Sequence, residues 1–442
     1  MLPLRMREWQ RIFVNDSALA NFSLADDPHA RALAEKLTNE NILEILELRR
    51  GLSIRSTSYV GRIQLGDLQI TIQPKIKLNV MVTLLQYAYH LRDLQSPTET
   101  DLESGAFQDI LIHQLITEAA ELMARGLQRQ YRRVDESLAI PKGRLDLQAI
   151  VRRGGIIEAS IPTIHYPRLE DTYPRLEDTL INQVLLGGLE LAVGLTTDLL
   201  LRSRLRRLAV QLEMNITRIP SLDLAIMKRL RGFMSRQTTH YEPSIALIEL
   251  LLFSKGITLE ATSTRTLIPG FLFDMNRFFE RLLSRFLNEH LPDYIVHDQY
   301  PLRDMMAYAP DHNPRGRQAP IPRPDFVITQ GGQVKRMLDA KYRDLWETTL
   351  PSGMLYQLAI YALSQGWNGQ SVILYPALDD LPIPQVINIR DVLSSSHKAQ
   401  IILTPVNLTQ LSQLLRGNST VARRQRVEFA EHLVFGTRAS SA

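Results

Sequence analysis

Residues 324–342 read PDFVITQGGQVKRMLDAKY, and this stretch decides how the C-terminal part of the chain folds. Two strand-like runs, Asp325 to Thr329 and Val334 to Tyr342, are joined through Gly331-Gly332. Short runs rich in Phe, Val and Ile around a Gly-Gly junction predict a β-hairpin. Each run carries an acid in apolar company: Asp325 ahead of Phe326, Val327 and Ile328, and Asp339 after Met337 and Leu338. Charges in such settings are costly unless they have a partner. Asp339 and Lys341 lie two positions apart, so on a strand they project from one face. Asp325 opens the neighbouring strand, and its carboxylate is expected to meet that of Asp339 across the sheet. Two carboxylates drawn together repel each other, and a divalent cation removes that cost. Oxygen ligands with no His or Cys nearby suit Mg²⁺, with Mn²⁺ as the second choice, rather than zinc. The expected metal ligands are therefore Asp325 and Asp339. An acid–x–lysine spacing taken alone is common and reads as a surface ion pair; the apolar setting and the hairpin separation favour a site.

Phosphodiester cleavage asks for these parts. A bound metal polarises the scissile phosphate and lowers the pKa of a water, and the Lys341 ammonium can position that water and offset charge in the transition state. Two flanking residues join the candidate set. Asp274 is placed to cap a helix from Met275 to Asn288, with Met275, Phe278, Phe279, Leu282 and Phe286 on one face. Glu280 stands at the edge of that stripe, within reach of a metal through water. A second helix follows Pro351-Ser352 and puts Gln357 and Tyr361 at i and i+4 on one face. Ser371 to Tyr375 reads as a short buried strand. The order helix, strand, strand, helix, strand describes an α/β unit.

Working outward, Ala309 to Pro324 is a loop with five prolines (310, 314, 320, 322, 324) and with Arg315, Arg317 and Arg323. Toward the N-terminus, Ser58 to Ile76 reads SYVGRIQLGDLQITIQPKI. Its alternation around Gly66-Asp67 predicts a second hairpin, ended by Pro74. From Leu78 the period becomes helical, with Val80, Leu84, Tyr87 and Ala88 on one face. Residues of about 103–135 and 180–260 are mainly helical in pattern. Leu201, Leu205, Leu208 and Leu212 form an apolar stripe, and Arg202, Arg204, Arg206 and Arg207 face elsewhere. A solvated face is the plain reading of those arginines, and contact with phosphates is the alternative. Tyr166–Thr172 and Tyr173–Thr179 both read YPRLEDT; two copies make no solenoid and describe a duplicated loop segment. The expected architecture is multidomain, α/β and α+β: a β-rich region over 1–95, a helical middle over 96–262, and an α/β domain over 263–442.

Composition narrows the classes. The chain has 442 residues, a formal net charge of +4 and no cysteine. That charge permits a nucleic-acid partner without requiring one. The absence of cysteine excludes disulfides, zinc–cysteine sites and cysteine-ligated iron–sulfur clusters. The N-terminus has no apolar core of signal-peptide length, and the longest apolar stretches, such as Ile245–Phe253, are broken by Glu249 and too short to span a bilayer. A cytoplasmic protein with no membrane partner is expected. No G-x-x-x-x-G-K-[ST] occurs, so any nucleotide-driven motor belongs to another chain.

Pro324-Asp325, Asp339-Ala340-Lys341 and the Gln357 helix together resemble the PD-(D/E)xK nuclease superfamily. Tyr59-Val60-Gly61-Arg62-Ile63, Gly66-Asp67, Ile72-Gln73-Pro74-Lys75-Ile76, Gly143-Arg144-Leu145-Asp146, Asp178-Thr179 with Asn182, and Phe278-Phe279-Glu280 are similar to the McrC family, over about residues 55–380. The resemblance implies a restriction-endonuclease-like C-terminal domain that cuts double-stranded DNA bearing modified bases. It implies an N-terminal part that docks on an McrB-like AAA+ GTPase and stimulates it. It also implies that Asp325, Asp339 and Lys341 are the catalytic residues. The tandem YPRLEDT has no counterpart in that pattern. Two other readings compete: a silent adaptor that activates the GTPase and keeps the nuclease fold as scaffold, and a stand-alone RecB-like exonuclease. The latter leaves the long N-terminal half unexplained.

Overall fold

A computed structural model describes residues 2–13, 19–20, 22–25, 27–91, 107–131, 135–138, 164–167, 175–196, 198–254, 258–259, 266–267, 270–303, 305–309, 311–366, 368–379, 381–417 and 419–436. The chain divides into two compact units: Met1–Phe107 with Gly256–Ala442, and Gln108–Lys255.

In the first unit the chain forms β1 (Leu2–Arg7), β2 (Arg11–Ile12), α1 (Pro28–Asn39), β3 (Leu43–Leu48), β4 (Gly51–Ser56), β5 (Tyr59–Leu65), β6 (Leu68–Gln73) and α2 (Leu78–Tyr89). The β5–β6 hairpin closes at Leu65 opposite Leu68, with Gly66 at φ +57° in the turn. Its alternation buries Val60, Ile63, Leu65, Leu68, Ile70 and Ile72, and the helical period from Leu78 buries Val80, Leu84 and Ala88. The hairpin is the middle of a four-stranded sheet whose outer strands come from elsewhere. Here β1 runs parallel to β6, and a strand from far down the chain, β7 (Gly270–Asp274), pairs antiparallel with β5. Gly61 is what admits β7: its φ is +134°, and a Cβ there would sit 2.0 Å from the carbonyl oxygen of Phe271. Any side chain would push the strands apart. A three-stranded sheet, β2-β4-β3, adds to this region, and α1 buries Ala30, Leu33, Ala34 and Leu37 in the shared core.

From β7 the chain passes directly into α3 (Met275–His290). The Asp274 carboxylate accepts hydrogen bonds from the amides of Asn276 (2.9 Å) and Arg277 (3.4 Å), which caps the helix where the sequence placed its start. The apolar face Met275, Phe278, Phe279, Leu282 and Phe286 is buried. There follow β8 (Ile295–Asp298), β9 (Phe326–Gln330), β10 (Gln333–Ala340), α4 (Ser352–Ser364), β11 (Gly369–Ala377), β12 (Gln385–Arg390), β13 (His397–Asn407), α5 (Leu408–Arg416) and α6 (Thr420–Phe435). The strands form one mixed sheet in the order β8-β9-β10-β11-β13-β12. The β9–β10 hairpin is antiparallel. After it, α4 carries the chain across to β11, parallel to β10, and β13 lies parallel to β11. Val327, Met337, Ile373, Tyr375, Ile401 and Leu403 pack with Leu358 and Tyr361 of α4 on one face. The hairpin, the crossover helix and the buried strand at Ser371–Tyr375 match the sequence reading. That reading did not anticipate β8, β12 and β13.

The second unit is mainly helical among its described residues: Phe107–Arg125, Leu180–Leu195, Leu199–Glu213, Leu224–Phe233 and Glu242–Ser254. The helix at Leu199–Glu213 buries Leu201, Leu205, Leu208 and Leu212, as its stripe predicts. Asn182 is buried and structural. Its amide donates to the carbonyls of Gln128 (2.8 Å) and Glu177 (2.7 Å), and its oxygen accepts from the Tyr241 hydroxyl (2.7 Å). Asp178, in the second YPRLEDT copy, accepts from the backbone amide (2.9 Å) and hydroxyl (2.8 Å) of Thr217. Residues 168–174 of the tandem repeat and the Gly143–Asp146 motif lie outside the described residues.

Candidate active site

Asp325 stands immediately before β9, and Asp339 is the penultimate residue of β10. Lys341 lies one residue beyond the end of β10, yet it keeps the strand's alternation because its amide donates to the carbonyl of Leu374 on β11 (2.9 Å). Asp339 and Lys341 therefore share a face, as the spacing required. The Lys341 ammonium is 3.1 Å from Asp339 Oδ2 and 3.3 Å from Asp325 Oδ2. Both acids are buried, at 2% and 6% exposure, while the lysine side chain keeps 25% of its surface open. The site thus has a solvent-facing cation over two sequestered carboxylates.

Asp325 is held from three sides. Its Oδ2 accepts from the Ala340 amide at 2.8 Å, which locks it to β10. Its Oδ1 accepts from the Gln299 side chain at 2.7 Å, and its carbonyl accepts from the Gln299 amide at 2.9 Å. Asp339 is pushed up to about 7, first by burial and then by the charge of Asp325, with Lys341 opposing. Glu280, on α3, is also pushed up to about 7, by burial and then by Asp325, with Lys341 opposing and Asp339 adding to the rise. Burial works against charge on Lys341, but Asp339 and Asp325 outweigh it and hold the ammonium above its ordinary range. Gln357 donates to the Tyr361 hydroxyl at 2.8 Å, so the i and i+4 pair is formed. The Tyr361 phenol is raised by burial and also feels the charges of Asp339, Asp325 and Lys341. The structure brings Asp325, Asp339 and Lys341 into direct contact, sets Glu280 within electrostatic reach of all three, and joins Gln357 to Tyr361. Neither Glu280 nor Gln357 makes a hydrogen bond to either aspartate among the described residues.

The donor set fits a hard divalent cation. Asp325 and Asp339 offer oxygen only, and one lysine offsets just one of their two charges. Burial first, and then the charge of Asp325, disfavour the ionised forms of Asp339 and Glu280, and a bound cation would offset both. Among the described residues no group of three or more His, Cys, Asp or Glu has metal-holding geometry, so a metal here would rest on two carboxylates with backbone and solvent oxygens.

Three residues that the sequence did not single out shape this site. Gln299 fastens Asp325 and has φ +48°, in a stretch without periodic signal. Asn276 accepts from the Tyr342 amide (3.1 Å) and donates to the Ser58 hydroxyl (2.6 Å). Glu8, one residue past the end of β1, is fully buried. Its Oε1 accepts from the Tyr342 hydroxyl (2.8 Å) and the Lys75 amide (2.5 Å). Burial pushes Glu8 up to about 7 against the bonds from Lys75 and Tyr342. The chain leaving Lys341 is thereby anchored to the β1–β6–β5–β7 sheet. The alternation of Leu2, Leu4 and Met6 with Pro3, Arg5 and Arg7 was the signal that would have exposed β1.

Residues 54–376 match the protein-family model described as McrBC 5-methylcytosine restriction system component. Among solved structures, the chain resembles one from the half-complex of the tetradecameric assembly of Thermococcus gammatolerans McrB AAA+ hexamers with bound McrC. The TM-score is 0.60 at 20% identity, covering 97% of this chain and 99% of that one. It also matches a chain of the Thermococcus gammatolerans McrBC complex with a TM-score of 0.44 at 19% identity, over 66% of this chain and 89% of that one. Curated proteins yield no match.

Proposed function

Given that this chain belongs to the McrC family of McrBC 5-methylcytosine restriction-system components, we propose that it is the DNA-cutting subunit of such a system. It hydrolyses phosphodiester bonds at a PD-(D/E)xK-type site and works with an McrB-like AAA+ GTPase that it stimulates. The carrying observation is the convergence of Asp325 and Asp339 on the Lys341 ammonium at the carboxyl end of β10. Asp325 and Asp339 would hold Mg²⁺, or Mn²⁺ in its place, and the metal would supply Lewis acidity toward a phosphate oxygen. The chain's own contribution is positional and electrostatic. The Ala340 amide and Gln299 fix Asp325 in one orientation. Lys341, kept charged by its two neighbours, stabilises negative charge developing on the phosphate and orients the attacking water. Glu280 and the Gln357–Tyr361 pair border the site and tune its charge.

The substrate is double-stranded DNA carrying modified bases, and the GTPase partner supplies translocation. The chain has no P-loop of its own, and the structural relative is described with McrB AAA+ hexamers. Among the described residues no helix is long and apolar enough to cross a membrane, in keeping with a cytoplasmic restriction role.

The test is a cleavage assay on methylated duplex DNA with the partner GTPase, GTP and Mg²⁺. Asp339→Ala and Lys341→Ala are expected to lower cutting by about 10²-fold or more while leaving GTPase stimulation at the wild-type level. Cutting by Asp339→Ala at the wild-type rate would remove the site assignment. Wild-type protein that stimulates GTPase but never cuts would instead make the chain an adaptor.

A further inference from the structure

The connection between β8 and β9, residues 299–325, contains no helix or strand among its described residues. Connections in compact domains usually run about 4–6 residues, and much longer ones are either functional or unstructured. This one is built at both ends. At its base, Gln299 clasps Asp325 through its amide and its side chain, and the Leu302 amide donates to the Pro322 carbonyl at 2.9 Å. At its far end, Asn313 closes a turn. Its Oδ1 accepts from the Arg317 amide (2.9 Å), its Nδ2 donates to the Arg317 carbonyl (2.8 Å), and its carbonyl accepts from the Gly316 amide (3.0 Å). Gly316 supplies the positive φ, +58°, that the turn needs. Pro314, Pro320, Pro322 and Pro324 each fix one backbone angle, which lowers the entropy of holding the loop in one shape.

What this shaped loop presents is mainly cationic and aromatic, with Asp311 as its exposed acid among the described residues. Arg315 and Arg317 flank Gly316 at the tip, and Arg323 lies just before the site; all three are exposed. None has an ion-pair partner among the described residues. Tyr300 and Tyr308 are 44% and 45% exposed on the same segment. Exposed arginines without acidic partners, interleaved with aromatic rings, are the surface chemistry that meets nucleic-acid phosphates and bases.

We propose that residues 299–325 form a preformed arm that grips duplex DNA, with Arg315, Arg317 and Arg323 binding phosphates on either side of the scissile one. This rests on the nuclease reading given above. Because the arm springs from Asp325 itself, the phosphates it holds are in fixed register with the carboxylates and Lys341. Its position serves productive placement of the duplex, and its contacts carry no base sequence.

The experiment measures binding of a fluorescent duplex by the full chain in complex with its GTPase, in Ca²⁺ to suppress cutting, across a salt series. The variant is Arg315→Ala/Arg317→Ala. The control is Arg423→Ala/Arg424→Ala, which removes the same charge from the exposed face of α6, away from the N-terminal region assigned to the GTPase. The arm variant is expected to bind about tenfold or more weakly, and the slope of log affinity against log salt is expected to fall by about two. Arg315→Lys/Arg317→Lys should restore most of the slope. Equal losses in arm variant and control, or an unchanged slope, overturn the arm; so does a variant that binds DNA normally but loses the GTPase. If wild type cuts and the arm variant binds like it, the arm fails while the nuclease reading stands. If Asp339→Ala cuts like wild type, the nuclease reading fails whatever the slope shows.

Discussion

Replacing Glu8 by glutamine isolates one buried carboxyl that ties the N-terminal sheet to the strand carrying the site. Glu8 is fully buried, and its pKa is raised from 4.5 to about 7, with burial as the main cause. The sign follows from proton binding. Between those two values the folded chain holds a proton on Glu8 that the unfolded chain has released. Stability is therefore greatest at low pH and falls as pH rises through the folded pKa. The shift of roughly 2.5 units corresponds to about 3 kcal/mol of stability lost between about pH 4 and about pH 8. Glutamine keeps the oxygen that accepts from Lys75 and Tyr342 and never ionises. Guanidinium unfolding of wild type and Glu8→Gln at both pH values gives the contribution of Glu8 as a double difference, in which Asp339 and Glu280, common to both proteins, cancel. Glu8→Gln should gain about 3 kcal/mol relative to wild type on going from about pH 4 to about pH 8. The same stability difference at both ends would refute the reasoning.

Three further outcomes are expected. Removing divalent metal with EDTA should stop cutting, and Mg²⁺ or Mn²⁺ should restore it; undiminished cleavage after chelation would exclude the metal reading. Gln299→Ala removes a hydrogen bond to a charged carboxylate. By that loss, about 1.5–3 kcal/mol, it should raise the Mg²⁺ needed for half-maximal cutting about tenfold or more, with GTPase stimulation unchanged. Gly61→Ala places a Cβ 2.0 Å from the Phe271 carbonyl oxygen at a φ of +134°. It should destabilise the first unit by at least about 3 kcal/mol, read as a fall in thermal midpoint or a loss of soluble protein.

Much of the site was legible in the sequence because its geometry is local. Asp339 and Lys341 need only a strand to share a face. The Gly331-Gly332 junction brings Asp325 alongside them without help from distant segments, and Gln357 and Tyr361 need only one helical turn. Asp274 as a cap and the buried stripe of α3 are equally local, since each depends on neighbours within four positions. Gln299 and Glu8 were not legible for the opposite reason. Each earns its role from a partner far away in sequence, Asp325 for one and Tyr342 for the other, and neither sits in a periodic pattern that points at that partner.

The sequence by itself determined the two hairpins, the capped α3, the crossover helix and the acid–acid–lysine set, because turn chemistry, side-chain period and capping act over a few residues. Only the tertiary structure decided that β7 completes the N-terminal sheet across Gly61 and that β1 lies parallel beside β6. It also decided that Glu8 grips the chain just past Lys341 and that the long proline-rich connection is clasped shut at Asp325. Those pairings join segments separated by long stretches of chain. They are selected by complementary packing and by satisfying buried polar groups once the core forms, which no local pattern encodes.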